Sequence, residues 1–270
     1  KLFNMDVDGV AWGTVVANYT GVLTAVFLYR RRYATPVVYG DLKAIFELTA
    51  MKRFFRVGRD IFIRTLVLIF AFSFFTATSA GQGDMVLAAN SILINLWTIM
   101  AYGIDGFAFA AESLIGRYMG ARDRKQLQSA IRHIFAWGLA LGILFSAAFS
   151  IFPEKILAVF TNKPEVIALA LSMMIWTQAA PLISTICYVW DGVYIGATAT
   201  RAMRNTMIIS LAVFYLPVYY LLQPLIPHHA LWLALVIFML ARGVTLSIYY
   251  KKEILGQLDN TPLPDRVNTL

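Results

Sequence analysis

The chain has 270 residues, 59% hydrophobic and 14% charged, with a net charge of +8 and a mean hydropathy of +0.67. A typical soluble domain carries about 25% charged residues, so this balance excludes a water-solvated globule and fits a chain solvated by lipid. The positive excess does not read as a nucleic-acid surface, because the basic residues lie between apolar runs and not on one face among stacking aromatics.

Taken in chain order, runs free of Asp, Glu, Lys and Arg mark the membrane spans. Gly9 to Tyr29 lies between Asp8 and Arg30, Thr65 to Gly83 between Arg64 and Asp84, and Met85 to Ile104 between Asp84 and Asp105. His133 to Pro153 and Val166 to Trp190 repeat the pattern. Each is close to the ~20 residues that cross a hydrocarbon core of about 30 Å. Asn205 to Ala241 is too long for one crossing, and Gln223-Pro224-Leu225-Ile226-Pro227 divides it, since proline cannot continue a helix. The count is seven helices, the second beginning near Asp60 and the last ending near Tyr250. Gly9/Gly13, Gly116/Gly120 and Gly138/Gly142 satisfy G-x-x-x-G, a signal for close helix packing.

Orientation follows from the basic residues. Of the 23 Lys and Arg, only Lys1, Lys155 and Lys163 fall on one side, Arg64 and Arg242 fall inside spans, and the remaining 18 fall in the opposite loops. Positive residues accumulate in the cytoplasm, which puts the amino terminus outside and the carboxy terminus inside. Within residues 30–58, the stretch 33–58 mixes Leu42, Ile45, Phe46, Leu48, Met51, Phe54 and Phe55 with basic residues and is expected to form an amphipathic helix on the membrane surface. The expected organisation is a first helix in 1–29, this cytoplasmic linker in 30–58, a six-helix transmembrane lobe in 59–252, and a disordered cytoplasmic tail in 253–270. The chain opens Lys-Leu-Phe-Asn, without initiator Met or signal pattern, and is expected to be a piece of something longer.

An ionisable side chain inside a span is costly and therefore a functional candidate. Asp105 and Glu112 are seven residues apart, about two turns, and share a helix face. Asp191 sits among Tyr188, Trp190 and Tyr194, a setting suited to carrying a proton. Asp60 and Arg64, spaced i, i+4, are expected to pair with each other. Arg242 either neutralises an acid or snorkels to the cytoplasmic interface. The lone Cys187 reads as a buried apolar side chain. No cysteine-based metal site is expected, and the sequence holds no G-x-x-x-x-G-K-[ST], H-E-x-x-H or G-x-S-x-G, so nothing points to an ATP-driven pump domain, a metalloprotease or an acyl hydrolase.

Five segments carry a resemblance. They are Gly58-Arg59-Asp60-Ile61-Phe62-Ile63-Arg64; Tyr102-Gly103-Ile104-Asp105-Gly106-Phe107 continuing through Glu112; Gly120-Ala121-Arg122-Asp123; Asp191-Gly192-Val193-Tyr194-Ile195-Gly196-Ala197-Thr198 with Met203-Arg204-Asn205; and His229-Ala230-Leu231-Trp232 with Arg242-Gly243. With these the chain resembles the multidrug and toxic compound extrusion (MATE) transporters, and within them the DinF-type clade, over roughly residues 6 to 250.

The resemblance implies an all-α polytopic bundle: the sixth helix plus the second six-helix lobe of a twelve-helix transporter with a cavity between lobes. It implies a secondary efflux transporter, not an enzyme, that exports amphipathic or cationic small molecules in exchange for H⁺ or Na⁺, with no other cofactor. The expected partners are the lipid bilayer, such substrates and an amino-terminal lobe, and the expected location is a bacterial inner membrane. A first-helix aspartate used for coupling in DinF-type relatives has no counterpart here, whereas Asp191 falls where the wider family places a tenth-helix acid. Asp191, Asp105 and Glu112 are therefore the expected cation- or proton-coupling groups, and Tyr188, Trp190, Tyr194 and Gln178 the expected cavity lining. Two alternatives stand beside this: translocation of a lipid or lipid-linked precursor, and a non-transporting scaffold or inactive fragment whose acids pair with Arg64 and Arg242.

Overall fold

The computed structural model describes residues 7–32 and 47–260, and the described chain is almost entirely helical. Its Cα positions group into two units, residues 1–52 and 53–270. In the first unit α1 (Val7–Arg32) is a 26-residue apolar helix. Thr20 and Thr24 donate their hydroxyls to the carbonyls of Val16 (2.7 Å) and Thr20 (2.8 Å), so neither polar group needs an outside partner. Arg30, Arg31 and Arg32 close the helix where its carbonyl end favours positive charge.

The second unit is built from α2 (Leu48–Gly81) from Arg53 onward, α3 (Asp84–Ala121), α4 (Arg124–Ile151), the short α5 (Pro153–Phe160), α6 (Pro164–Gly196), α7 (Thr200–Leu222) and α8 (Pro227–Tyr250). A π-helical turn at Lys251–Leu255 and a short α9 (Gly256–Asn260) extend α8. Six described helices, α2, α3, α4, α6, α7 and α8, are long and apolar enough to cross a membrane. The chain is thus a multi-pass membrane protein. The α2–α3 turn uses Gly83 at φ 112°, and Asp123 caps α4 by accepting the Gln126 amide at 2.9 Å. The expected proline break falls between α7 and α8, with Pro227 in the first turn of α8. Pro217 cannot donate to the carbonyl of Val213, and the π-helical segment Ser210–Tyr215 lies immediately before it in α7.

Two expectations change, and part of each lies outside the described residues. Residues 33–46 of the expected surface helix lie outside the described residues. Residues 48–58 are not a separate surface element but the first turns of α2, because no proline or turn dipeptide interrupts the run through Gly58. Residues 253–260 of the expected disordered tail are helical, anchored by the buried side chains of Ile254 and Leu255; residues 261–270 lie outside the described residues. The short α5 was not anticipated.

α6 is the central post of the second unit. A Cβ added at Gly192 would fall 2.1 Å from the Ala108 carbonyl oxygen of α3, and one at Gly196 would fall 2.6 Å from the Glu112 carbonyl oxygen. Backbone meets backbone there, which only glycine permits. On another side of α6, Gly138 and Gly142 of α4 sit against Val189, Thr185 and Pro181. Of the motifs read from sequence, Gly138/Gly142 is therefore a packing seam, whereas Gly13 and Gly120 face open space. In the half of the bundle nearest the α2–α3 turn, buried Trp97, Trp232 and Phe75 stack, with Phe75 and Trp232 centroids 4.8 Å apart. A hydrogen-bond chain crosses this core: Trp232 Nε1 donates to Asn90 Oδ1 and Asn90 Nδ2 to Ser79 Oγ, both at 2.8 Å.

Gly192→Ala and Gly196→Ala are each expected to destabilise the bundle by about 1–3 kcal/mol or more through overpacking, whereas Gly120→Ala, with nothing near, should stay within about 0.5 kcal/mol of the parent. Thermal melting of the detergent-purified protein checks this; equal melting temperatures for all three would remove the close α3–α6 contact.

Candidate functional site: a buried carboxylate between two arginines

Asp191 lies on α6, one residue before the glycine seam, and is 6% exposed. Its Oδ2 accepts a 2.7 Å hydrogen bond from Nη2 of Arg242 on α8, which is itself 1% exposed. The same oxygen accepts a hydrogen bond from Nη2 of Arg64 on α2. One carboxylate thus joins three helices. Arg242 also donates to Met239 Sδ at 3.2 Å and lies 5.4 Å from the centroid of the Phe238 ring, so it does not snorkel to the interface. Two guanidinium groups against one carboxylate leave a positive excess, and Asp105 on α3, half-buried, lies close enough to interact with both Asp191 and Arg64. The group of Arg64, Arg242, Asp191 and Asp105 is formally neutral.

Asp60 and Arg64 share a face of α2 as their spacing implies, but they reach for different partners. Buried Asp60 accepts from Arg204 Nη1 of α7 at 2.5 Å and, more weakly, from exposed Arg59 at 3.4 Å. Arg64 turns to Asp191. The i, i+4 pair expected from sequence is therefore replaced by two ties between helices. Both ties join positions more than a hundred residues apart, which the spacing of Asp60 and Arg64 along one helix does not reveal.

The four expected cavity-lining residues do not converge, because successive α6 positions turn about 100° and face different helices. Tyr188 accepts from Trp97 Nε1 of α3 at 3.1 Å. Trp190 Nε1 donates to Ser247 Oγ at 2.7 Å, and Tyr194 donates its hydroxyl to the Leu246 carbonyl at 2.7 Å, both on α8. Gln178 faces α4, where its backbone carbonyl accepts from Ser146 Oγ at 2.7 Å. Two buried hydroxyls on the Asp191 face of α6, Thr177 and Ser184, have no hydrogen-bond partner among the described residues. Spaced seven apart with Asp191, they form a polar line through the lobe.

The sequence reading missed a second surface. Ser91, Asn95, Thr98, Tyr102, Asp105, Phe109 and Glu112 follow one another at intervals of four and three, which is one stripe of α3. Ser91, Asn95, Tyr102, Phe109 and Glu112 are exposed, Tyr102 at 74%. Lipid is a poor neighbour for an amide and a carboxylate, so the stripe belongs against water or another protein surface. Extending the Asp105–Glu112 spacing backwards along the helix would have found it.

Fold and site together define a polytopic helical lobe that keeps its charge inside the bundle and along one helix face. Residues 61–221 match the MatE family, and the chain belongs to that family, whose members are membrane transporters and not enzymes. It is 33% identical over 250 residues to DNA damage-inducible protein F of Escherichia coli, covering 93% of this chain and 54% of that protein. It is 24% identical over 178 residues to a probable multidrug resistance protein NorM of Photorhabdus laumondii, covering 64% of this chain and 39% of that protein. The fold matches a crystal structure of an aspartate-to-asparagine variant of the Vibrio cholerae MATE transporter VcmN, with TM-score 0.82 and 18% identity over 94% of this chain and 57% of that one. The chain therefore spans about half or less of the length of these relatives.

Asp191→Asn should strand Arg64 and Arg242 without their counter-ion and cost about 3–5 kcal/mol. Melting of the purified protein is expected to show this loss, with partial recovery in Asp191→Asn/Arg242→Met. A single mutant as stable as the parent would mean that the two arginines do not depend on Asp191.

Proposed function

We propose that the chain forms one lobe of a secondary active efflux transporter that moves amphipathic or cationic small molecules outward in exchange for H⁺ or Na⁺. The observation that carries this reading is the exposed polar and aromatic stripe of α3, running past Asp105 beside the buried Arg64–Asp191–Arg242 cluster. In this reading the stripe is the wall of an aqueous cavity closed by an amino-terminal lobe. Tyr102 and Phe109 offer ring faces to organic cations. Tyr188, Trp190, Tyr194 and Gln178 shape that wall from behind, through their contacts with α3, α4 and α8.

The coupling acids then divide their work. Asp105 and Glu112 are accessible and can take up H⁺ or Na⁺ from the cavity. Asp191 is buried against its two arginines, and its part is to hold Arg64 where the charge on Asp105 is felt. When a cation arrives at Asp105, the balance of the four-charge group changes by one unit, and α2, α6 and α8 register that change through the shared Asp191 oxygen. The family membership and the names of the relatives support efflux, and the lopsided distribution of basic residues supports an inner-membrane protein with its amino terminus outside and its carboxy terminus in the cytoplasm.

The test is dye efflux from vesicles containing the complete protein, under imposed pH or Na⁺ gradients. Asp105→Asn is expected to lower gradient-driven efflux at least ~10-fold with an unchanged melting temperature, as removal of a coupling group demands, and Glu112→Gln should have a smaller effect. Unchanged efflux in Asp105→Asn would remove that residue from coupling, and dye movement indifferent to both gradients would favour a lipid or lipid-linked precursor translocase.

A further inference from the structure

The outer surface of the lobe carries a groove that the transport reading does not use. It opens between α4, α6 and α8, with a volume of about 640 Å³, and its floor includes Phe135, Trp190 and Ile186. A second hollow of about 530 Å³ between α6 and α8 shares Ile186 and Ser247 with it and continues past Gly243 and Val244 to Leu240. Each has the size of a site for an organic ligand. Because they share Ile186 and Ser247, the two hollows adjoin along the bundle surface and are together called the channel. Gly243 keeps its floor low: a Cβ there would meet Ile186 Cγ2 at 3.3 Å.

The channel is polar at one end only. Arg132, Gln128 and Tyr250 stand at its mouth, at the end of the bundle where α4 begins and α8 closes with Lys251 and Lys252. Tyr250 stacks on Trp190 with centroids 5.0 Å apart, and both arginines of the first α4 turns, Arg124 and Arg132, act on its hydroxyl, which Gln128 also hydrogen-bonds. Among the described residues no carboxylate lies in salt-bridge range of Arg132, which is exposed. From Tyr250 back to Leu240 the channel follows ten residues of α8, about 15 Å at ~1.5 Å per residue. That is about half of a ~30 Å hydrocarbon core, the thickness of one leaflet.

We infer that this groove is a binding site for an anionic glycerophospholipid of the leaflet on the basic side, with the phosphate at Arg132 and one acyl chain laid along Ile186, Val244 and Leu240. The three features that define such a lipid are matched together. A guanidinium free to fork onto phosphate oxygens stands at the head position. Tyr250, backed by the buried Trp190 ring, stands at the interfacial level where such rings settle, and a trough one leaflet deep takes the tail. A neutral apolar ligand would leave Arg132 unused, and a peptide would leave backbone amides unpaired against a wall of aliphatic side chains.

Native mass spectrometry of the detergent-purified protein with added phosphatidylglycerol or phosphatidylcholine tests the assignment. One phosphatidylglycerol is expected to be retained at ~10-fold lower concentration than phosphatidylcholine: both lipids offer a phosphate to Arg132, but the choline ammonium brings a positive charge to a mouth already lined by Arg132 and flanked by Lys251 and Lys252, and tenfold corresponds to about 1.4 kcal/mol. Arg132→Gln, at an exposed position, should abolish the preference without moving the melting temperature. Ile186→Trp, which fills the trough where the hollows meet, should reduce retention of both lipids. Equal retention of the two lipids by the parent, or a preference that survives Arg132→Gln, would overturn the site. So would retention unaffected by Ile186→Trp in a protein that melts normally.

Discussion

A guanidinium or carboxylate at the centre of a bilayer costs at least ~2.5–3.5 kcal/mol even where the surroundings can adjust, and the second unit is organised around meeting that cost. Asp191 answers Arg64 and Arg242 at once, and Asp60 answers Arg204. Each tie runs between helices distant in sequence, so the ion pairs also fix which helices are neighbours. α2 is held to α6 by Arg64–Asp191 and to α7 by Asp60–Arg204, and α8 is held to α6 by Arg242–Asp191. Apolar helices in lipid have little hydrophobic reason to choose one neighbour over another. Their polar groups make the choice, and the Trp232–Asn90–Ser79 chain repeats the device at the other end of the bundle.

The second constraint is distance. Gly192 and Gly196 let α6 approach α3 until its backbone touches that of Ala108 and Glu112, and the first of these contacts is one residue away from the carboxylate that meets Arg64 and Arg242. The residue that carries the charge directly precedes the first glycine of the seam, and the second follows one turn later, so the site and the packing seam adjoin on α6. This also explains the different environments of the two α3 acids: Glu112 lends its backbone to the seam while its side chain points outward, and Asp105 is half withdrawn toward the arginines. A transporter lobe needs both conditions, a rigid post and a charged group that still meets water.

The lipid groove is lined by α4, α6 and α8 and follows from the same economy. α4 and α8 both pack on α6, but α4 begins where α8 ends, so their basic ends converge while their apolar stretches part around Ile186. The result is a surface with two wet or charged features on different helices: the α3 stripe, which calls for water or a second lobe, and the Arg132 mouth, which calls for a phosphate.

Hydropathy and proline position were enough to find the crossing helices and the break at Pro224 and Pro227, because each span must satisfy its own backbone in lipid and local composition reports that directly. The six candidate charges, Asp60, Arg64, Asp105, Glu112, Asp191 and Arg242, were equally visible as single letters. Their partners were not. Spacing offered Asp60 and Arg64 to each other, whereas tertiary packing gave Asp60 to Arg204 and Arg64 to Asp191, since helix periodicity says which residues share a face and nothing about which helix that face meets. For the same reason Tyr188, Trp190, Tyr194 and Gln178 looked like one aromatic lining and proved to be anchors on three sides of α6. The sequence by itself determined that this is a lipid-solvated helical chain with buried charge; the packing of glycine against backbone decided where each charge is answered, because that contact depends on residues more than eighty positions apart.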